Sequence, residues 1–365
     1  MIKPPQYVSD IKPYIPGKPI EELEREMGID HTIKLASNEN PLGPSPLAVK
    51  ALTETIRAQE GSNSLNRYPD GNGFYLKQAL AEKFGVSEDE IILGNGSNEL
   101  LDIAVRTFLR PEDEAIMAYP TFVVYLISVQ AQGGRTVQVP LKDYRYDLDA
   151  MADEVTSRTK LFFISNPNNP TGTINTQEEF DRLMKKLPDG ILVIADEAYY
   201  EYVTDAAYAE SIRYFREGRD ILILRTFSKI YGLAGLRVGY GIARRDIVAE
   251  MNKLRPPFNT NSMAQIAAKH ALQDDAFVRS SRETNEQGKV YLYNELDKLG
   301  YTFVPTEANF IYVLLDQDAN ILYGSLLKKG IIVRPVGPTE LRITIGTPGE
   351  NRRFVDALKQ LRSSL

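Results

Sequence analysis

The sequence predicts an α/β fold: a large, mostly parallel sheet domain covered by helices, then a smaller α+β domain. Three patterns carry that expectation. Between residues 91 and 243, short β-branched runs alternate with stretches of helical periodicity, the rhythm of strand–helix–strand units. Most of those runs are continuously apolar, as strands are when both faces are covered. Near residue 275 the rhythm gives way to one long polar helix followed by further strands.

Taken in order, the first forty residues are rich in Pro and Gly and read as an arm with one short helix around Ile20–Met27. From Pro46, PLAVKALTETIRAQ carries apolar residues at helical spacing as far as Gln59. IIL at 91–93 passes through GNGSNE into the helix ELLDIAVRTFL. EAIMAYP, RTVQVPL, KLFFISNP, ILVIADEAY, DILILRTFS and RVGYGIA follow as strands, with helices between several of them. The long polar helix is DDAFVRSSRETNEQGKVYLYNELDKL. After it come FVPTEANFIYVLL, a helix, GIIVRPV, LRITIG and a last helix. The expected organisation is an N-terminal arm (1–40) joining the small domain, a large domain (41–274) and a small C-terminal α+β domain (275–365).

Composition removes several function classes. A net charge of −6 argues against a general nucleic-acid binder, which needs a basic face. Cysteine is absent, so there are no disulfides and no thiolate chemistry. With only His31 and His270, a multi-histidine metal site is not expected. MIKPPQYVSDIKPYIPGKP lacks the apolar core of a signal peptide, and TFVVYLISV is too short to span a bilayer. A cytoplasmic protein is the default expectation.

Ligands of open α/β sheets sit beyond the carboxyl ends of strands, and four unusual stretches fall at such ends. In GNGSNE (94–99), glycines let the backbone approach closely, and the N–H groups of Ser97 and Asn98 at a helix start suit a phosphate. A tight turn with a Ser/Asn cap explains it equally well, and Glu99 stands where a dinucleotide fingerprint needs its third glycine. SNPNNPTG (165–172) follows KLFFI; it is a turn by composition, with asparagine amides able to point into a pocket. In ADEAYY (195–200), Asp196 ends a buried strand and needs a partner, either a structural ion pair or a cationic ligand nitrogen.

The fourth stretch is RTFSKIYGLAGLRVG (225–239), where an apolar strand runs into Lys229. A lysine there is ordinarily a surface lysine on a loop. Partial desolvation of its amine would favour Schiff-base chemistry instead, and Thr226, Ser228 and Arg237 beside it make a phosphate seat. Together the four stretches offer an amine, a buried carboxylate, an amide donor and an anion cradle. Pyridoxal 5′-phosphate asks for that set: a lysine for its aldehyde, a carboxylate for its ring nitrogen and an anion site for its phosphate.

At these residues the chain resembles the fold-type I, class II pyridoxal-phosphate aminotransferases. The markers are ASNENPLGP (36–44), RYPD (67–70), GNGSNE, YPTF (119–122), NPNNPTG, DEAY, RTFSKIYGLAGLRVGY and the final LRI, and they span nearly the whole chain. The resemblance implies transamination between L-histidinol phosphate and 2-oxoglutarate. It implies that Lys229 bonds the cofactor aldehyde and serves as general base, that Asp196 keeps the ring nitrogen protonated, and that Asn169 and Tyr199 hold the ring oxygen. Phe122 would stack on the ring, and Ser97, Asn98, Thr226, Ser228 and Arg237 would form the phosphate cradle. Tyr68 would reach the phosphate of the neighbouring subunit, which makes a homodimer the expected partner arrangement. Tyr14, Asn40, Arg334 and Arg342 would select the substrate, Arg342 holding either a carboxylate or a phosphate in its guanidinium fork.

Aromatic amino acid transamination and threonine-phosphate decarboxylation share the same lysine, aspartate and cradle. A nucleotide-binding dehydrogenase using GNGSNE is the reading from a different class, weakened by Glu99. A silent binding protein on this fold would be expected to lack Lys229.

Overall fold

In the computed structural model, residues 2–58 and 65–362 are described. Gln59, the expected end of the first long helix, lies outside them, as do the terminal residues of the expected arm and small domain. The helix itself is described from Pro46 to Ala58. No helix among the described residues is long and apolar enough to cross a membrane.

The arm contains a two-residue strand, β1 (Ile33–Lys34). Seven strands then build the main sheet: β2 (Ile91–Gly94), β3 (Glu114–Tyr119), β4 (Arg135–Pro140), β5 (Thr159–Ser165), β6 (Leu192–Asp196), β7 (Ile221–Thr226) and β8 (Gly239–Ile242). Their order is β2-β8-β7-β6-β5-β3-β4. Every pairing is parallel except those of β8, which runs antiparallel to β2 and β7.

The unbroken apolar runs divide between two covered faces, as side-chain alternation requires. Phe162, Ile164, Val193, Ala195, Ile221 and Ile223 pack on one face. Leu161, Phe163, Leu192, Ile194, Leu222 and Leu224 pack on the other. With both faces filled, the sheet is a rigid platform whose carboxyl edge is open to a ligand.

Five further strands follow: β9 (Thr302–Val304), β10 (Phe310–Leu314), β11 (Ile331–Ile332), β12 (Arg334–Pro335) and β13 (Glu340–Thr344). Four of them form an antiparallel sheet, β12-β13-β10-β9. The long helix Asp275–Lys298 supplies Leu292 and Leu296 to its core, with Ile311, Ile343 and Phe354. FVPTEANFIYVLL is thus two strands rather than one run. Its middle turns where Thr306 Oγ1 accepts from the Ala308 N–H at 2.9 Å and Asn309 Nδ2 donates to the Asn38 carbonyl at 3.0 Å. GIIVRPV divides as well, since β11 leaves the sheet to pair in parallel with β1.

The arm holds the helix Ile20–Met27 and a short helix, Gln6–Ser9, that the sequence did not announce. Beyond β1 it is clamped on both sides: the Leu35 N–H donates to the Ile332 carbonyl (2.7 Å) and the Leu35 carbonyl accepts from Thr344 (2.9 Å). Residues 36–40 are thereby carried to the open edge of the main sheet.

Candidate active site

Three strand ends converge at that edge. Gly94, Gly239 and Thr226 stand in register across β2, β8 and β7. The chain leaving β2 turns at Gly96, φ +79°, and enters the helix Ser97–Phe108. A Cβ on Gly96 would lie 2.5 Å from Nη2 of Arg237, and one on Gly239 would lie 2.5 Å from the Ser97 nitrogen. Bare backbone is what lets the guanidinium and the helix start meet. Glu99 accepts from the Asn95 N–H (2.7 Å) and from Asn259 Nδ2 (2.6 Å), so the residue that spoils the dinucleotide fingerprint fastens this turn.

On the β7 side, Thr226 Oγ1 accepts from the Ser228 N–H at 3.1 Å, and Ser228 Oγ accepts from Arg237 Nη1 at 3.2 Å. Hydroxyls, a guanidinium and the start of a twelve-residue helix face one cavity, an arrangement that attracts an anion.

Asp196 closes β6 in register with Ser165 at the end of β5. Its carboxylate is buried, with Oδ2 accepting from Tyr125 OH at 2.7 Å and Oδ1 from the Ala198 N–H at 3.2 Å. Burial, reinforced by the Glu197 charge, raises its pKa to about 6 against those hydrogen bonds. Tyr125 stacks on Phe163 (centroids 4.9 Å apart) and meets the edge of Phe122.

Lys229 is half-buried and donates from Nζ to the Ser37 carbonyl at 3.0 Å. Its pKa is lowered to about 7, first by burial and then by the Arg342 charge, with Arg237 adding to the effect and Glu39 opposing it. An amine tuned to neutrality is both nucleophilic and able to exchange protons.

The arm and the smaller sheet supply the remaining wall. Tyr199 OH accepts from Asn38 Nδ2 at 2.8 Å, and Asn38 is held by Thr344, whose Oγ1 accepts the Asn38 N–H at 2.9 Å. Arg342, on β13, donates from Nη1 to Asn169 Oδ1 and from Nη2 to the Ala36 carbonyl, both at 2.7 Å. Its Nε is buried without a hydrogen-bond partner.

One cavity of about 200 Å³ is lined by Tyr14, Ser97, Asn98, Phe122, Asn169, Asp196, Tyr199, Thr226, Ser228, Lys229, Arg237 and Arg342. Three residues expected at the site lie outside its lining. Asn40 is buried with Nδ2 donating to the Ile230 carbonyl (2.7 Å) and Ser281 Oγ (2.8 Å), while Oδ1 takes the Leu42 N–H. Its amide is fully engaged, so it braces the lysine loop rather than facing a substrate. Arg334 donates to the Ile15 carbonyl at 2.6 Å with its guanidinium 5.5 Å from the Tyr14 ring centroid, and so reaches the cavity only through Tyr14. Tyr68 is 79% exposed and stacks on Phe258 away from this cavity.

Asn38, Ser37 and Ser165 line the cavity without having been singled out in the sequence, and Tyr125 acts on Asp196 from behind. Asn38 lies within ASNENPLGP, which carried a signal. Tyr125 lies in an apolar run and carried none.

The donor set fits pyridoxal phosphate. The glycine-lined cradle suits its phosphate, and Asp196 is a carboxyl whose raised pKa a protonated ring nitrogen would relieve. Lys229 offers an amine of the kind its aldehyde needs, and Arg342 brings a guanidinium to the same cavity. Among the described residues no group of three or more acidic or histidine side chains is placed to hold a metal ion.

Such a site at the carboxyl edge of a mostly parallel seven-stranded sheet defines the class as fold-type I pyridoxal-phosphate enzymes. The chain belongs to the aminotransferase class I and II family, whose model matches residues 30–358. It is 51% identical over 359 residues to histidinol-phosphate aminotransferase of Moorella thermoacetica, covering 97% of this chain and 92% of that protein. It is 46% identical to histidinol-phosphate aminotransferase 2 of Hydrogenovibrio crunogenus, covering 98% and 96%. Among solved structures it resembles histidinol-phosphate aminotransferase from Sinorhizobium meliloti in complex with pyridoxal-5′-phosphate, with TM-score 0.90 and 26% identity across 100% of this chain and 99% of that one.

Proposed function

We propose that this chain transfers the amino group of L-histidinol phosphate to 2-oxoglutarate, giving imidazole acetol phosphate and glutamate, with pyridoxal phosphate as cofactor. The observation that carries the reading is the meeting of Lys229, Asp196, the anion cradle and Arg342 in one cavity, in a chain so similar to proteins of that name.

When bound, the cofactor supplies an aldehyde that captures the substrate amine and a cationic ring that withdraws electrons from the amine-bearing carbon. Lys229 would hold that aldehyde, and its free amine would serve as the base that moves the proton at the substrate's amine-bearing carbon. Asp196 keeps the ring nitrogen protonated, braced by Tyr125. Asn169 and Tyr199 hold the ring oxygen, and Phe122 flanks the ring. Ser97, Asn98, Thr226, Ser228 and Arg237 hold the phosphate. Arg342 binds the carboxylate of glutamate in one half-reaction and the phosphate of the imidazole substrate in the other, one fork serving two anions. Tyr14 covers the same end, positioned by Arg334.

The proposal includes a cytoplasmic homodimer in which Tyr68 completes the partner's cradle. Its support is a set of exposed rings: Tyr68, Tyr75 and Phe258 are all exposed, with Tyr68 and Phe258 stacked at 4.6 Å. Water-facing rings of this kind mark an association surface. It also includes the division into an arm (1–40), a large domain (41–274) and a small domain (275–365).

Purified protein reconstituted with pyridoxal phosphate tests the reading. The visible band of the holoenzyme changes on adding histidinol phosphate, and glutamate appears when 2-oxoglutarate follows. An unchanged spectrum with histidinol phosphate, or no glutamate, overturns it.

A further inference from the structure

On the face of the sheet opposite Asp196 and Thr226 lies an ion pair neither of whose members lines the cavity. Arg225 donates from Nε to Glu197 Oε2 at 2.8 Å, with Nη2 at 2.8 Å from the same oxygen. The two side chains are 2% and 0% exposed. Glu197 Oε1 has no hydrogen-bond partner, while the Tyr240 hydroxyl and the buried Glu201 also lie in the field of Arg225. The guanidinium lies 3.6 Å from the ring centroid of Tyr200 and 4.9 Å from that of Phe84.

An incompletely satisfied buried pair is poor value for stability, since desolvation offsets its attraction and an apolar pair of similar volume often serves as well or better. What distinguishes this pair is where its members sit in the chain. Glu197 follows Asp196, Arg225 precedes Thr226, and Tyr200 follows Tyr199. Because strand side chains alternate, Asp196 and Thr226 face the cavity while Glu197 and Arg225 face away from it. The Glu197 N–H donates to the Leu224 carbonyl at 2.8 Å, continuing the β6–β7 ladder past the last paired residue, Asp196. The ion pair lies one residue further along the same seam.

We infer that Arg225 is a positioning residue: its bonds to Glu197 and its stack on Tyr200 fix the backbone from which Asp196, Tyr199 and Thr226 reach the cofactor. One planar cation therefore sets the spacing between the ring-nitrogen carboxylate, the ring-oxygen hydroxyl and one arm of the phosphate cradle. A guanidinium suits this better than an ammonium, because only a flat fork bonds in its plane and stacks on its face. The inference rests on the transaminase reading for its effect on turnover, but its effect on cofactor affinity stands apart from the identity of the amino donor.

The test compares wild type, the apolar double variant Glu197→Leu/Arg225→Met and the charge-preserving Arg225→Lys. Three quantities are read: melting of the cofactor-free protein, the dissociation constant of pyridoxal phosphate from fluorescence quenching, and kcat for glutamate formation. The double variant is expected to melt near wild type while its cofactor dissociation constant rises and kcat falls, each roughly tenfold or more. Arg225→Lys is expected to stay folded and show the same losses, since charge without the fork does not restore spacing. Wild-type affinity and kcat in a folded double variant overturn the inference, as does a wild-type Arg225→Lys. If neither variant folds, the pair is a stabilising element and the positioning role is wrong. A wild-type chain that binds the cofactor yet leaves histidinol phosphate untouched refutes the transaminase reading, while the affinity comparison still decides the role of Arg225.

Discussion

Arg342 Nη1 donates to Asn169 Oδ1 at 2.7 Å, joining strand β13 of the smaller sheet to the loop that follows β5 of the main one. The group proposed to read the substrate's anion and the group proposed to hold the cofactor's ring oxygen are thus hydrogen-bonded to each other. Replacing Asn169 by Ala leaves Nη1 of Arg342 without this partner, beside the unpartnered Nε. The expected outcome is a rise in KM for glutamate together with a fall in kcat, each about tenfold, in steady-state assays of a folded variant. Wild-type constants would dissociate the two groups.

Lys229→Ala removes the amine proposed both to bond the cofactor and to move the proton. Turnover is expected to fall by at least about a thousandfold, and borohydride treatment should no longer fix the cofactor to the chain. Wild-type-like turnover in this variant eliminates the proposed role.

The lowered amine pKa gives a pH signature in the cofactor-free protein. In the unfolded chain Lys229 keeps its proton up to its ordinary 10.5, whereas in the folded chain it releases it near 7. Between those values the unfolded state binds more protons, so this residue makes stability rise with pH across that window and withdraws the gain as pH falls through about 7. Because Arg342 is the largest cause after burial, Arg342→Leu is expected to move the titration upward. The rate of Lys229 acylation against pH, followed by peptide mass, measures the midpoint in both proteins. An unmoved midpoint removes Arg342 from the account.

Tyr125→Phe deletes the hydroxyl that donates to Asp196 Oδ2 and leaves the Ala198 N–H as its neighbour's remaining support. That bond lowers the Asp196 pKa, so the variant's carboxyl titrates above about 6 and is less ionised at neutral pH. Cofactor binding is expected to weaken by about 1–3 kcal/mol at pH 7, with the deficit shrinking as pH rises and the carboxylate reforms. Equilibrium binding at several pH values checks this, and a deficit independent of pH contradicts the link to Asp196 ionisation.

The parts of the site that were legible in the sequence are those built from consecutive residues. Ser97 and Asn98 follow a glycine turn, and Thr226, Ser228 and Lys229 leave one strand together, so local chemistry announced them. The sheet was legible for a related reason: short apolar runs rich in β-branched residues and bounded by turns suit a doubly covered strand, although the apolar run VYLISV is a helix, Val124–Ala131. Residues whose roles arise from distant chain meetings were not legible. Asn38 meets Tyr199 across 161 positions, and Tyr125 hides its hydroxyl within VYLISV, where only the fold shows it turned toward Asp196. Asn40 misled for the same reason, since its partners Ile230 and Ser281 lie 190 and 241 positions away. The separation of β11 from β12 likewise depends on the arm supplying β1 as a partner.

Tyr68 provides the sharpest test of assembly. It lies outside the lining of its own chain's cavity, exposed and stacked on Phe258, and the proposal places its part in catalysis on another copy. Tyr68→Ala and Lys229→Ala should each be nearly inactive alone. If Tyr68 serves the partner's cradle, a mixed dimer of the two has one site with both defects and one with neither. Random exchange of equal amounts makes half the dimers mixed, and restores about a quarter of wild-type activity. If Tyr68 acted within its own chain, every site in the mixture would carry one defect and no activity would return. Denaturing the two variants together, refolding them with pyridoxal phosphate and assaying glutamate formation distinguishes the cases, with separately refolded samples combined afterwards as the unmixed control.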